Sequence, residues 1–194
     1  MKAKDVIAKI IRVLTVAPVM ALATLVTLYI IDPSIFGEFY MFALAVLFLC
    51  ILPILAYPCQ PITPYFKNKG REGQRNLAMV FAVSGYLLGC ITNLFLNAPR
   101  SLWLIYLIYL LSGILVVVIN KVFKLRASAH ACGVAGPTAL LAYFGVIAAV
   151  IPGVVLYFAA LWASIRMKRH TWQQFIGGAC ISLLGLVFLH FVVF

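Results

Sequence analysis

Runs of about twenty apolar residues, each stopped by a cluster of charge, leave this chain few folds to choose from. A helix needs roughly 20 mostly apolar residues to cross a hydrocarbon core. Inside lipid every backbone polar group must be paired within the structure, which leaves helices or closed barrels. Runs long enough for helices fall at about 10-31, 39-57, 77-97, 101-123, 131-149, 150-165 and 173-194. The expected fold is all-α, a polytopic transmembrane helix bundle of roughly six to seven spans. Pro137 and Pro152 keep the smaller count open, because kinked or re-entrant helices are expected between Ala131 and Ile165. With 65% of its 194 residues hydrophobic and 10% charged, the chain lacks the polar surface of a soluble domain. The net charge of +11 therefore implies no nucleic-acid partner, which would need a solvated basic face on a soluble core. Residues 1-194 read as a single integral membrane domain.

The charge has a side. With seven spans, Lys2, Lys4, Lys9, Arg12, Lys67, Lys69, Arg71, Arg75, Lys121, Lys124, Arg126, Arg166, Lys168 and Arg169 share one face, which is 14 of the 15 basic residues and leaves Arg100 opposite. The positive-inside rule makes that face cytoplasmic, expected at a cell inner membrane, with the C-terminus outside. For Lys2, Lys4, Lys9 and Arg12, orientation is reason enough. The apolar stretch from Val13 to Ile31 is too long for a signal peptide and has no small-residue cleavage site, so it reads as a retained span. Trp103, Trp162 and Trp172 fall near span ends, as interfacial aromatics do. Cys50, Cys59, Cys90, Cys132 and Cys180 show no metal-ligand spacing; neither a disulfide nor a metal is expected. The loop from Pro58 to Asn76 is expected to be extended first and basic afterwards.

Three basic segments carry more than topology: KNKGREGQRN (67 to 76), KLRASAHACG (124 to 133) and ASIRMKRHTWQQFIGG (163 to 178). Each couples Arg or Lys to polar groups at a span end, and two place a histidine, His130 or His170, at or just before a span's N-terminus. That combination suits a phosphate. Guanidinium groups bind phosphoryl oxygens bidentately, helix N-termini offer free N–H groups, and a histidine can attack phosphorus or protonate a leaving oxygen. The small residues after His130 also suit a helix-packing seam. Thr171 with Gln174 matches a capping box that fixes the start of the last span beside His170. His190 has only apolar neighbours in sequence and is expected to be structural.

At these residues the chain resembles the type 2 phosphatidic acid phosphatase (PAP2) superfamily, in a branch that writes its three segments approximately as RExR, KISxHxxG and R followed by RHTxxQ. The matching residues are Arg71-Glu72-Gly73-Gln74-Arg75, then Arg126-Ala127-Ser128-Ala129-His130 with Gly133, then Arg169-His170-Thr171-Trp172-Gln173-Gln174 with Gly177. The resemblance covers residues 58 to 185. It implies a PAP2-like membrane phosphatase acting on a lipid phosphate or isoprenoid diphosphate. His170 would be the nucleophile and His130 the acid, with Arg71, Arg75, Arg126 and Ser128 holding phosphoryl oxygens. It implies no metal and no other cofactor, and a membrane lipid as substrate; a homo-oligomer is left open. Three positions differ from the family's pattern. Asn76 replaces a proline, leaving the role of Lys69 open. Ser164 stands where an arginine is expected six residues before the nucleophile, with Arg166 or Lys168 as substitutes from the next turn. Gln174 replaces an acidic partner, and Glu72 is the expected source of negative charge. A non-hydrolytic lipid-phosphate binder, and a haem protein with His130 and His170 as axial ligands, are the rival readings.

Overall fold

Eight helices and no strand make up the described residues, 3–194, of the computed structural model. Helix α1 (Ala3–Leu14) meets α2 (Ala17–Ile31) at a bend of 53°. The run 10-31 is therefore not one straight span. Pro18 cannot donate to the Leu14 carbonyl, so the helix yields there. Helix α3 (Phe39–Ile62) carries a π turn at Leu47–Ile51. Pro53 lies two residues beyond it and removes a rung from the i→i−4 ladder, a recognised cause of such a turn. Then come α4 (Gly70–Leu96), α5 (Arg100–Lys121), α6 (Ala129–Tyr143), α7 (Ile147–Arg166) and α8 (Trp172–Val193).

Five helices, α3, α4, α5, α7 and α8, are long and apolar enough to cross a membrane, and the bent α1–α2 pair makes six. Helix α6 falls short. At 15 residues it spans about 22 Å, against roughly 30 Å of hydrocarbon. The boundary expected near residue 149 lies at Phe144–Val146 instead, where Gly145 adopts a φ of +79°. Both doubtful prolines, Pro137 and Pro152, sit inside continuous helices.

The segment expected to be extended after Pro58 stays helical as far as Ile62. Gln60 then closes the turn by donating from Nε2 to the Gly70 carbonyl at 2.6 Å. Helix α4 consequently starts seven residues before the expected 77 and takes Arg71 and Arg75 into its first turns. Lys2, counted with the basic tail, lies outside the described residues.

Helix α6 is central, packed on α2, α7 and α8. Small residues make this approach possible, as expected where lipid offers no hydrophobic drive between helices. A Cβ on Gly133 would come within 2.5 Å of the Ala17 Cβ, and one on Gly178 would strike the Ser128 carbonyl. The dense core lies at the opposite end of the bundle, around the fully buried Leu28, Phe36, Leu102 and Leu104. There Ser101 Oγ donates to the Ile35 carbonyl at 2.7 Å, and His190 Nδ1 meets the Tyr143 hydroxyl at 2.8 Å. The basic end is where packing opens.

Candidate functional site

That opening is a cavity of about 1260 Å³ whose mouth is lined by Arg12, Arg71, Arg75, Arg126, His130 and His170. Below the mouth it continues between α4, α5 and α6 past Val83, Tyr86, Val116 and Val117. Both Asn120 and Ile108 line it, so along α5 it runs for roughly 18 Å. Three side-chain oxygens on that wall, Tyr109 Oη, Ser112 Oγ and Asn120 Oδ1, are buried without a hydrogen-bond partner among the described residues.

Each element delivers its residue for a local reason. Arg71 and Arg75 are four apart on the first turns of α4, hence on one face. Arg126 lies in the loop 122–128, held by Asn120 Nδ2 donating to the Ala127 carbonyl at 2.9 Å and by the Ser128 N–H donating to the Gln174 carbonyl at 2.9 Å. Lys124, Arg126 and Lys168 adopt positive φ values of 58°, 38° and 52°. Residues other than glycine rarely do so, and such backbone concentrates at functional sites.

The histidine protons follow from their partners. Thr15 Oγ1 donates to the Ile11 carbonyl at 2.8 Å and lies 2.9 Å from His130 Nε2. A hydroxyl has one proton to give, so Nε2 of His130 is the donor and Nδ1 is free of this bond. At the second histidine, the Thr171 backbone N–H can only donate, which identifies the Gln174 atom facing it at 3.3 Å as Oε1. The same oxygen lies 3.4 Å from His170 Nδ1. Nδ1 therefore carries the proton, and Nε2 keeps its lone pair. The expected capping box is present, with Gln174 N–H donating to Thr171 Oγ1 at 3.3 Å. Burial lowers the His170 pKa from the ordinary histidine value; the Gln174 bond acts upwards, and Arg12 and Arg75 act downwards.

Of the residues expected at a site, the cavity brings together Arg71, Glu72, Arg75, Arg126, His130, His170 and Gln174. Ser128 lies elsewhere: it is fully buried, and its Oγ caps α6 by accepting the Ala131 N–H at 3.2 Å. Arg166 pairs with Asp5 of α1 at 3.0 Å. Lys69 stacks 3.3 Å above the Tyr65 ring, and Thr171 is spent on its cap. Glu72 forms no ion pair among the described residues, where Asp5–Arg166 is the one recorded. Two participants escaped the sequence reading. Thr15 holds His130, and Arg12 donates from Nη1 to Ser164 Oγ at 2.7 Å. The signal for Arg12 was its spacing: Asp5, Ala8 and Arg12 share one helical face, so two charges sit seven apart on a single stripe.

Fold and site define a helical membrane protein whose bundle opens, at its basic end, into a cavity carrying two histidines with differently assigned protons. No family model, curated protein or solved structure matches the chain.

Proposed function

We propose that the protein is a membrane phosphatase that hydrolyses a lipid phosphate or isoprenoid diphosphate through a phosphohistidine on His170, as the resemblance of its three basic segments to the PAP2 superfamily implies. One observation carries the reading: Gln174 fixes the His170 proton on Nδ1, leaving Nε2 as a lone pair in a cavity that Arg71, Arg75 and Arg126 also line. Phosphoryl transfer depends mainly on positioning and charge stabilisation, and this arrangement supplies both.

In the first step Nε2 of His170 attacks phosphorus, the P–N bond forms and the P–O bond to the leaving group breaks. His130 rests neutral with its proton on Nε2, because burial and then Arg12 lower its pKa to about 3. The entering phosphate monoanion gives its own proton to Nδ1, which passes it to the departing oxygen while Nε2–H stays on Thr15. In the second step a water attacks phosphorus, the P–N bond breaks, and Nδ1 of His130 takes the water's proton and hands it to the departing phosphate. Both histidines are restored. The apolar slot below the mouth suits the substrate's hydrocarbon chain.

The four basic residues of the N-terminal tail favour a cytoplasmic site face and an outside C-terminus at a cell inner membrane. Labelling of a cysteine placed at position 170 only from the outside would reverse that orientation.

The reading is tested by phosphate release from prenyl diphosphates, phosphatidic acid and phosphatidylglycerol phosphate, using wild type and His170→Ala. Wild type is expected to release phosphate and to trap an acid-labile, alkali-stable phosphoenzyme, both absent in the variant. A variant that turns over like wild type overturns the mechanism. Lipid binding without release marks a non-hydrolytic binder.

A further inference from the structure

We infer that Arg12 is a phosphate ligand of this site, and that α1 is the arm that delivers its guanidinium to the place where Ser164 leaves a gap. The inference rests on the phosphatase reading and extends it to a helix outside the three basic segments.

Arg12 is half-buried and lines the cavity mouth with Arg71, His130 and His170. Its partner is neutral, the hydroxyl of the fully buried Ser164. A guanidinium has five N–H donors in a planar fork, and the bond to Ser164 uses one. Taking such a charge partly out of water among like charges is costly unless an anion joins it. No carboxylate does so, since the ion pair recorded among the described residues is Asp5–Arg166. The cluster is built to be neutralised by something that enters the cavity, and a phosphoryl group matches the fork bidentately.

The arm is held at both ends. Asp5, Ala8 and Arg12 form the face of α1 that meets α7. Asp5 binds Arg166 at 3.0 Å, Ala8 is fully buried and Arg12 binds Ser164 at 2.7 Å. The bend after Leu14 then brings Thr15 against His130. One turn of chain thus carries the cation and fixes the acid. Ser164 also acquires a reason. An arginine on that turn of α7 would meet the Arg12 guanidinium, whereas a serine accepts its hydrogen bond.

The test compares wild type, R12Q, R12K, K9Q, S164R and the double variant R12Q/S164R, purified in detergent and checked for an unchanged unfolding temperature. The readouts are phosphate release and binding of orthovanadate, a phosphate mimic. R12Q is expected to lose about 100-fold in kcat/KM, as for other preorganised donors, and to weaken orthovanadate binding. R12K should retain part of the charge effect without the fork, and the exposed Lys9 should be replaceable without loss. The decisive result is recovery: R12Q/S164R, with its arginine moved to α7, should regain at least about tenfold over R12Q. A folded R12Q that binds orthovanadate and turns over like wild type overturns the inference. So does a folded double variant that recovers nothing. If wild type releases no phosphate from any substrate, the phosphatase reading fails by itself; orthovanadate binding, lost in R12Q and kept in K9Q, then still supports Arg12 as an oxyanion ligand.

Discussion

His170 donates from Nδ1 to the Gln174 oxygen at 3.4 Å, and that oxygen also receives the Thr171 backbone N–H at 3.3 Å. One side chain therefore caps α8 and sets a tautomer. Gln174→Leu removes both functions. Thr171 still caps the helix through the backbone N–H of residue 174, so the lost half of the capping box should cost about 0.5–1.5 kcal/mol of stability. The kcat should fall at least tenfold because an unheld imidazole samples the wrong tautomer, with roughly 10⁴-fold as the extreme seen when a triad carboxylate is lost. Gln174→Glu keeps the acceptor and the capping box, so it should stay folded and active. Thermal unfolding in detergent together with kcat separates the two effects. Equal kcat in wild type and Gln174→Leu would show that the bond orients nothing.

The pH profile tests the electrostatics of the same residue. Attack requires neutral His170, so kcat/KM should rise with pH through the free-enzyme pKa of that group. Burial holds this pKa below the ordinary histidine value, and Arg12 and Arg75 push it the same way. The acid limb should accordingly lie below the usual histidine range. Arg75→Gln removes a repelling cation, stabilises the imidazolium and should move the limb upwards, while Gln174→Glu should move it further by adding a negative neighbour. A limb that does not move in either variant would assign it to another group.

Thr15 makes a prediction for His130. Its hydroxyl donates a hydrogen bond to the Ile11 carbonyl and accepts one from Nε2–H, which leaves Nδ1 as the working nitrogen. Thr15→Val leaves a buried N–H unpaired, at a cost of about 1–3 kcal/mol, and frees the ring to turn. Thr15→Ser keeps the hydroxyl. The valine variant should lose stability and turnover together, and the serine variant should retain most of both. Indistinguishable variants would mean that the hydrogen bond does not hold the ring.

How much of this was legible in the sequence depended on whether the signal was local. The apolar runs marked the helices because lipid demands them, and the Thr171–Gln174 spacing announced a cap built within one turn. The start of α4 was hidden because Arg71, Glu72 and Arg75 interrupt the apolar run, although helical backbone continues through them towards the cavity. Ser128 caps its own helix through a partner three residues on, whereas Arg166 and Arg12 turned on tertiary partners. Which arginine Asp5 takes is settled by how α1 lies on α7. No spacing within one segment records that. The bend at Thr15 sits beside Pro18, yet its angle follows from packing on both sides.

Gly178 marks where the two histidine loops are pressed together. A Cβ there would collide with the Ser128 carbonyl, next to the Ser128 N–H to Gln174 carbonyl bond that joins the loop before α6 to α8. Gly178→Val should push α8 away, lower stability by about 1–3 kcal/mol as overpacking does, and reduce turnover by separating His130 from His170. A Cβ on Gly177, one residue earlier, would stand in open space, so Gly177→Ala should be tolerated. A Gly178→Val protein as stable and active as Gly177→Ala would show that this contact is not needed.

The slot beneath the mouth makes the last prediction. Val117 lines it on α5, one helical turn above Gly113 and one turn below Lys121 at the basic end. A phosphate whose hydrocarbon chain occupies the slot should be sensitive to its width, whereas a short, water-soluble phosphate should not. Val117→Phe narrows the slot by a ring's volume. The expected outcome is a higher KM for long-chain lipid phosphates, by about tenfold for a loss of roughly 1.4 kcal/mol in chain contacts. The kcat/KM for a short-chain phosphate should be nearly unchanged. Equal losses for both substrates would point to a disturbed mouth, and no loss for either would place the chain outside the slot, along the lipid-facing surface of the bundle.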